Sequence, residues 1–223
     1  MIMKALLAEI SFYEALFKVH HTKGFRLTYP IPLPTSVAGM FGAMLGVERS
    51  CMKEDFRNFL FGAALMKHSG FVIENETFIQ YKTAQVQKGV VRTQLMNQPT
   101  YLIAMGGPLD KIEEYHSFLR NHNMVYLPYG GQNDFFLEKF KVNHSADIIQ
   151  SDLVSNYAPQ DLVSEIVSKE TVLNILPVMQ SESNNPNFYF LFSGRLKLKK
   201  PVSVVKDILI ALYPLEMFTF VQG

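Results

Sequence analysis

The chain has 223 residues, 48% of them hydrophobic, and a formal net charge of +1. That is enough for one domain, or one domain with a small appendage, and it excludes wholesale disorder. The near-neutral balance excludes a uniformly basic polyanion binder, and a single cysteine, Cys51, excludes an intramolecular disulfide and a cysteine-rich metal site.

Residues 3–12 alternate and are expected to form a strand, with Leu6, Ala8, Ile10 and Phe12 on one face. Glu9 interrupts the apolar run and no small-residue cleavage site follows, so no signal peptide is expected. Residues 17–27 are a basic loop carrying Lys18, His20, His21, Lys23 and Arg26. Adjacent histidines on an extended chain point apart, and no second ligand cluster lies nearby, so no metal site is expected. Residues 29–34 hold three prolines, which keep the backbone extended. Thr35 and Ser36 are good N-caps, and a helix should follow to about Val47. Gly39, Gly42 and Gly46 lie in it, each interior glycine costing roughly 1 kcal/mol against alanine. Two reasons are open: close packing of the helix on a sheet, or access for a phosphate backbone near the helix N-terminus. The apolar run in this helix is too short to span a bilayer, so a cytoplasmic protein without a membrane partner is expected.

Residues 53–66 are expected to be helical, with Phe56, Phe59, Leu60 and Ala63 on one face. Residues 71–80 should form a strand. Residues 81–98 are a polar, cationic, β-prone insertion in which Lys82, Lys88 and Arg92 sit among Gln and Thr. Residues 100–105 read as a strand, and Pro108, Asp110, Glu113 and Glu114 suit the start of a helix to about Asn121. A short strand at 124–127, a glycine turn at 128–134 and a strand at 135–142 follow. The order strand, helix, strand, strand, helix, strand matches a ferredoxin-like (RRM-like) βαββαβ unit of the α+β class over residues 1–143. Residues 144–223 form a smaller C-terminal α/β region. In it 146–157 suit a helix and 171–178 a strand. Residues 188–199 suit a strand with Arg195, Lys197 and Lys199 on one face.

Charge is segregated along the chain. Residues 15–47, 77–109 and 183–206 contain no Asp or Glu and hold 11 of the 21 Lys and Arg. Such clustering builds a basic face on a neutral protein. No Gly-x-Ser-x-Gly, His-Glu-x-x-His or Walker loop is present. The residues of a metal-independent ribonuclease are available in His20, His21, Lys23, Tyr29, Lys67 and His68. Binding of single-stranded RNA without chemistry fits more of the sequence, because acid-free loops that interleave cations with amides supply phosphate and base contacts together.

Two segments carry a family resemblance. Pro-Leu-Pro-Thr-Ser-Val-Ala-Gly-Met-Phe-Gly-Ala-Met-Leu-Gly, residues 32–46, follows a strand and a basic loop. Tyr-Leu-Pro-Tyr-Gly-Gly-Gln-Asn-Asp-Phe, residues 126–135, contains a glycine turn. Together they resemble the CRISPR-associated Cas-five family of the RAMP superfamily, over roughly the first 140 residues. The resemblance implies a non-catalytic RNA-binding subunit of a type I Cascade ribonucleoprotein in antiviral defence. Such a subunit holds the 5′ handle of the crRNA, caps the filament of Cas-seven-type backbone subunits and lies beside the large subunit, near the flanking motif of target DNA. By position, Lys18, His20, Lys23 and Arg26 would lie near the handle. Lys82, Lys88 and Arg92 would belong to a thumb at about 81–98, and Gly130, Gly131, Gln132 and Asn133 would form the turn beside the RNA. The alternative, from one branch of the family, is a metal-independent endoribonuclease using Tyr29, Lys67 and His68. No cofactor or metal is implied.

Overall fold

In a computed structural model, describing residues 2–20, 22, 24–82, 85–121, 123–168, 170–181 and 187–218, the chain builds around β1 (Met3–Phe12). Its even-numbered side chains, Leu6, Ala8, Ile10 and Phe12, are fully buried, and so is Ala5 on the other face, with Leu7 nearly so. A strand apolar on both faces belongs in the middle of a sheet, and each large side chain buried there stabilises by roughly 1.5–3 kcal/mol. Two-residue strands β2 (Glu14–Ala15) and β3 (Phe25–Arg26) follow.

Helix α1 (Pro34–Leu45) starts one residue before the expected caps. Pro34 takes the first helical position, where its missing N–H costs nothing, and Leu33 stands at the N-cap with no side-chain hydrogen bond. Gly46, at φ +76°, ends the helix in the left-handed conformation. The expected helix at 53–66 is corrected. It reduces to a single turn, α2 (Met52–Asp55), and then β4 (Leu60–Lys67). Phe59, Phe61 and Ala63 are buried at every second position, and that period overrides the helical one. Gly62 was the missed signal. A Cβ there would lie 2.2 Å from the Ala211 carbonyl oxygen, so the backbones approach too closely for any side chain.

The expected strand at 71–80 is one arm of a long hairpin, β5 (Phe71–Lys82) and β6 (Gln85–Asn97), paired from Phe71↔Met96 to Lys82↔Gln85. The insertion therefore starts ten residues earlier than 81 and lies between β4 and β7 (Thr100–Pro108). Helix α3 (Leu109–Arg120) follows as expected. Residues 124–127 form no strand. The Val125 and Tyr126 N–H groups instead donate to the Met44 and Ala43 carbonyls, 3.0 and 3.1 Å, which satisfies the last turn of α1. β8 (Leu137–Val142) then pairs with β1.

β8, β1, β7 and β4 lie side by side, all antiparallel, and α1 and α3 pack on one face of them. The even face of β1 shares one core with Val37, Phe41 and Met44 of α1 and Ile112 and Leu119 of α3. Among the described residues strand predominates and helices are few, as in an α+β fold.

The C-terminal third continues this sheet. The segment expected to be helical at 146–157 is β9 (Ala146–Val154), which pairs with β1 at Lys4↔Asp147, and then β10 (Tyr157–Pro159). Pairing to β1 and to β14 settles β9 as a strand, and β-branched Ile148, Ile149 and Val154 favour it. β11 (Val163–Ile166) and β12 (Val172–Pro177) follow. The expected single strand at 188–199 is two, β13 (Asn187–Ser193) and β14 (Leu196–Val205), broken at Gly194 with φ +90°. Arg195 therefore falls in the turn, while Lys197 and Lys199 are exposed opposite buried Leu196 and Leu198. β10, β13 and β12 form a small separate sheet. Its buried Tyr157, Phe188 and Phe190 pack with Tyr29, Tyr213 and Phe218. β15 (Tyr213–Pro214) returns to pair with β4 at Tyr213↔Phe61. Val205, Ile210 and Leu212 cover the face of the main sheet opposite the helices.

Candidate nucleic-acid interface

The glycine turn is built against the start of the basic loop. Gly130 donates to the Phe135 carbonyl at 2.8 Å, Phe135 donates to the Gln132 carbonyl at 3.1 Å, and Leu16 donates to the Gly130 carbonyl at 2.7 Å. Gly131 sits at φ +97°, where a Cβ would lie 2.0 Å from the Leu16 carbonyl oxygen. Only glycine allows this approach. The turn faces α1 across a cleft of about 230 Å³ lined by Phe17, Ser36, Gly39, Ala43, Tyr129 and Gly131, among others. Gln132 is half-buried and Asn133 exposed beside it.

The three helix glycines have three different reasons. Gly46 is the left-handed cap. Gly42 meets Met52 Sδ at 3.6 Å from its would-be Cβ, an ordinary packing contact. Gly39 meets nothing within 4 Å and opens onto the cleft. Access is thus provided one turn into the helix, not at its N-terminus.

The hairpin brings the two cationic segments together. β3 pairs parallel to β6, setting Phe25 opposite Arg92 and Arg26 opposite Thr93. Alternation then sorts the charges. One face of β5–β6 carries Ile73, Asn75, Ile79, Lys88, Val90 and Arg92, and the other carries Glu74, Glu76 and Phe78. The stretch that looked acid-free along the chain is acid-free on one face only. Lys88 and Arg92 are exposed, as are Ile73, Ile79 and Val90 around them. Phe78 lies over Gly89, whose Cβ would be 2.4 Å from the ring. Lys82 closes β5, and its side chain lies outside the described residues.

The basic loop is only partly available. Lys18 is exposed and bridges to Thr28 through the backbone. Arg26 is engaged by Glu76 of the hairpin, which ties the loop down. His20 is half-buried and has polar partners of its own. His21 and Lys23 lie outside the described residues.

Tyr29, Lys67 and His68 do not present a common open site. Tyr29 is 2% exposed. Its hydroxyl donates to the Pro177 carbonyl at 2.6 Å and its ring stacks on Phe190 at 5.4 Å. Burial pushes its pKa up. Lys67 and His68 are exposed at the end of β4, where His68 Nδ1 accepts the Gly70 N–H at 3.0 Å. Among the described residues no group of three His, Cys, Asp or Glu converges on a metal-sized site. No helix is long and apolar enough to cross a membrane.

Sequence reading missed Tyr129, 48% exposed at the mouth of the cleft, and Ser36 on its wall. Pro128 and the glycine pair around Tyr129 were the available signal. It also missed an exposed apolar run beside the turn, Val125, Tyr126 and Leu127, near exposed Phe136.

No family model and no curated protein matches this sequence. Solved structures do. The chain is similar to a chain of a CRISPR RNA-guided surveillance complex, with a TM-score of 0.53 at 14% identity, over 98% of this chain and 94% of that one. It is also similar to a structure described as a Cas protein, at TM-score 0.43 and 13% identity over 98% and 100% of the two chains. A third, a CRISPR-associated protein, gives TM-score 0.42 and 13% identity over 89% and 94%. The fold is thus one shared with a CRISPR surveillance complex chain. That shared fold agrees with the resemblance to CRISPR-associated proteins read in the sequence.

Proposed function

We propose that the chain is a non-catalytic RNA-binding subunit of a CRISPR effector complex of the Cascade kind. In this reading it holds the 5′ handle of the crRNA, caps a filament of Cas-seven-type backbone subunits, and lies beside the large subunit near the flanking motif of target DNA. The observation that carries the reading is the cleft between Gly39 of α1 and the Gly130–Gly131 turn. Gly39 presents bare backbone on one wall and Gly131 lines the other, leaving room for a sugar-phosphate chain, with exposed Tyr129 beside it to stack a base. The order β8, β1, β7, β4 with both helices on one face supports a ferredoxin-like, RRM-like unit at residues 1–143, with β5–β6 as its thumb. The exposed apolar residues around the turn suit burial against protein partners in the cytoplasm.

The test is retention of a labelled repeat-derived RNA by the chain with its backbone subunits, measured against salt. Lys88→Ala with Arg92→Ala removes two phosphate contacts, so the slope of log affinity against log salt should fall by about 1.4. An unchanged slope would remove the hairpin from the RNA path. The chain alone should leave the same RNA intact in EDTA. Tyr29→Phe should leave RNA retention unchanged and cost about 1 kcal/mol of stability, one buried hydrogen bond. A discrete cut lost in Tyr29→Phe or His68→Ala would replace this reading with the endoribonuclease.

A further inference from the structure

A second concave site lies away from the glycine turn, between α3 and the link from β8 to β9. It is a cleft of about 270 Å³ lined by His116, Arg120, Lys141, Val142, Asn143 and His144. Two elements turn cationic or titratable side chains to it, α3 with His116 and Arg120 and the link with His144, and none of the described lining residues is acidic. Val142 pairs with Ala8, four residues along β1 from Phe12 at the glycine-turn end. At 3.3 Å per residue the two clefts are separated by roughly 13 Å of strand or more.

Part of this charge has ordinary explanations. Arg120 stands in the last turn of α3, where a cation offsets the helix dipole. Lys141 stands opposite Glu9 of β1, on the sheet face turned away from the helices, and lysines commonly protect an edge such as β8. On the same helix Glu113 is exposed one turn before His116, and Glu114 pairs with Lys111. Neither explanation covers the concavity or the convergence of His144 and His116 on it. His116 Nε2 donates to the Asn143 carbonyl at 3.0 Å, which fixes the ring and the link together and leaves Arg120 and His144 exposed at the opening.

We infer that this cleft is a phosphate site. A guanidinium and an imidazole at a shared concavity suit a tetrahedral oxyanion, whether a phosphodiester of a passing polynucleotide or a free phosphate group. The inference does not rest on handle binding, because inorganic phosphate reports on the cleft without RNA.

The test uses the full chain in two arms. In the first, inorganic phosphate is titrated at fixed ionic strength while the backbone amide resonances are followed. Saturable shifts at residues 116–120 and 141–144 are expected, and Arg120→Ala with His144→Ala should abolish them. In the second, a labelled 20-nucleotide RNA is bound across a salt series. If a strand crosses the cleft, the same variant should lower the salt slope by about 0.7 for each phosphate it no longer neutralises. Phosphate shifts with an unchanged RNA slope identify the source as a free oxyanion. A reduced RNA slope identifies it as a polynucleotide. Absence of both responses overturns the site. Arg120 and His144 are exposed, so the melting temperature of the variant should match the parent, and Arg120→Lys should restore part of either response.

Discussion

Gly131→Ala is expected to lower the melting temperature by roughly 6–12 °C and to weaken RNA retention at least tenfold. The substituted residue would have to hold φ +97°, which side chains rarely adopt. Its Cβ would also press to 2.0 Å on the Leu16 carbonyl oxygen, a backbone atom that cannot swing away. Strain and clash together are worth about 3 kcal/mol, and in a chain of this size 1 kcal/mol moves the midpoint by about 2–4 °C. The turn escapes only by withdrawing from residues 14–17, which breaks the Leu16–Gly130 hydrogen bond and opens the cleft wall. Gly39→Ala is the informative contrast. Nothing lies within 4 Å of its would-be Cβ, so stability should hold or rise slightly while RNA retention falls. Thermal melting and a binding isotherm on both variants check this. Parent-like behaviour of Gly131→Ala would sink the account of the turn, and undiminished binding by Gly39→Ala would remove the cleft from the RNA path.

Asn156→Ala should be the most destabilising single change outside the glycines. Asn156 is fully buried at the corner between β9 and β10. Its Nδ2 donates to the carbonyls of Ala63 and Ala211, at 3.0 and 3.1 Å, and its Oδ1 accepts the Ala211 N–H at 2.9 Å. One side chain thus ties β4 to the segment leading into β15. Removing it strands backbone groups away from water and leaves a void, an expected loss of about 3–5 kcal/mol. Urea unfolding measures this directly. A loss below about 1 kcal/mol would show that water or backbone movement satisfies those groups.

Local signals made some of the molecule readable. β1, α1, α3 and the glycine turn each announce themselves through alternation, helix-start residues or paired glycines. The failures have a common cause, which is information carried by distant partners. β4 read as a helix because Phe56, Phe59 and Ala63 fit a helical spacing, and its pairing with β7 and the approach of Ala211 to Gly62, both remote in the chain, make it a strand. β9 read as a helix because its pairing with β1 and β14 is remote in the chain. The β5–β6 hairpin showed itself in composition only as a polar, cationic insertion, and composition hid its two-faced nature, since Glu74 and Glu76 precede the acid-free run but fold beside it. The phosphate cleft was invisible for the same reason. His116 and His144 are far apart in sequence and adjacent only across α3 and β8.

The closure of β4 by Tyr213–Pro214 also sets a timetable for the nascent chain. A ribosome adding roughly 5–20 residues per second needs on the order of ten seconds or more to travel from β4 to β15. Throughout that interval Leu102 and Ala104 lack Ile210 and Leu212 above them, and the free edge of β4 is open to other strands. Vectorial folding from the N-terminus cannot complete this sheet before β15 emerges, so that face and edge are the surfaces most open to mispairing during synthesis.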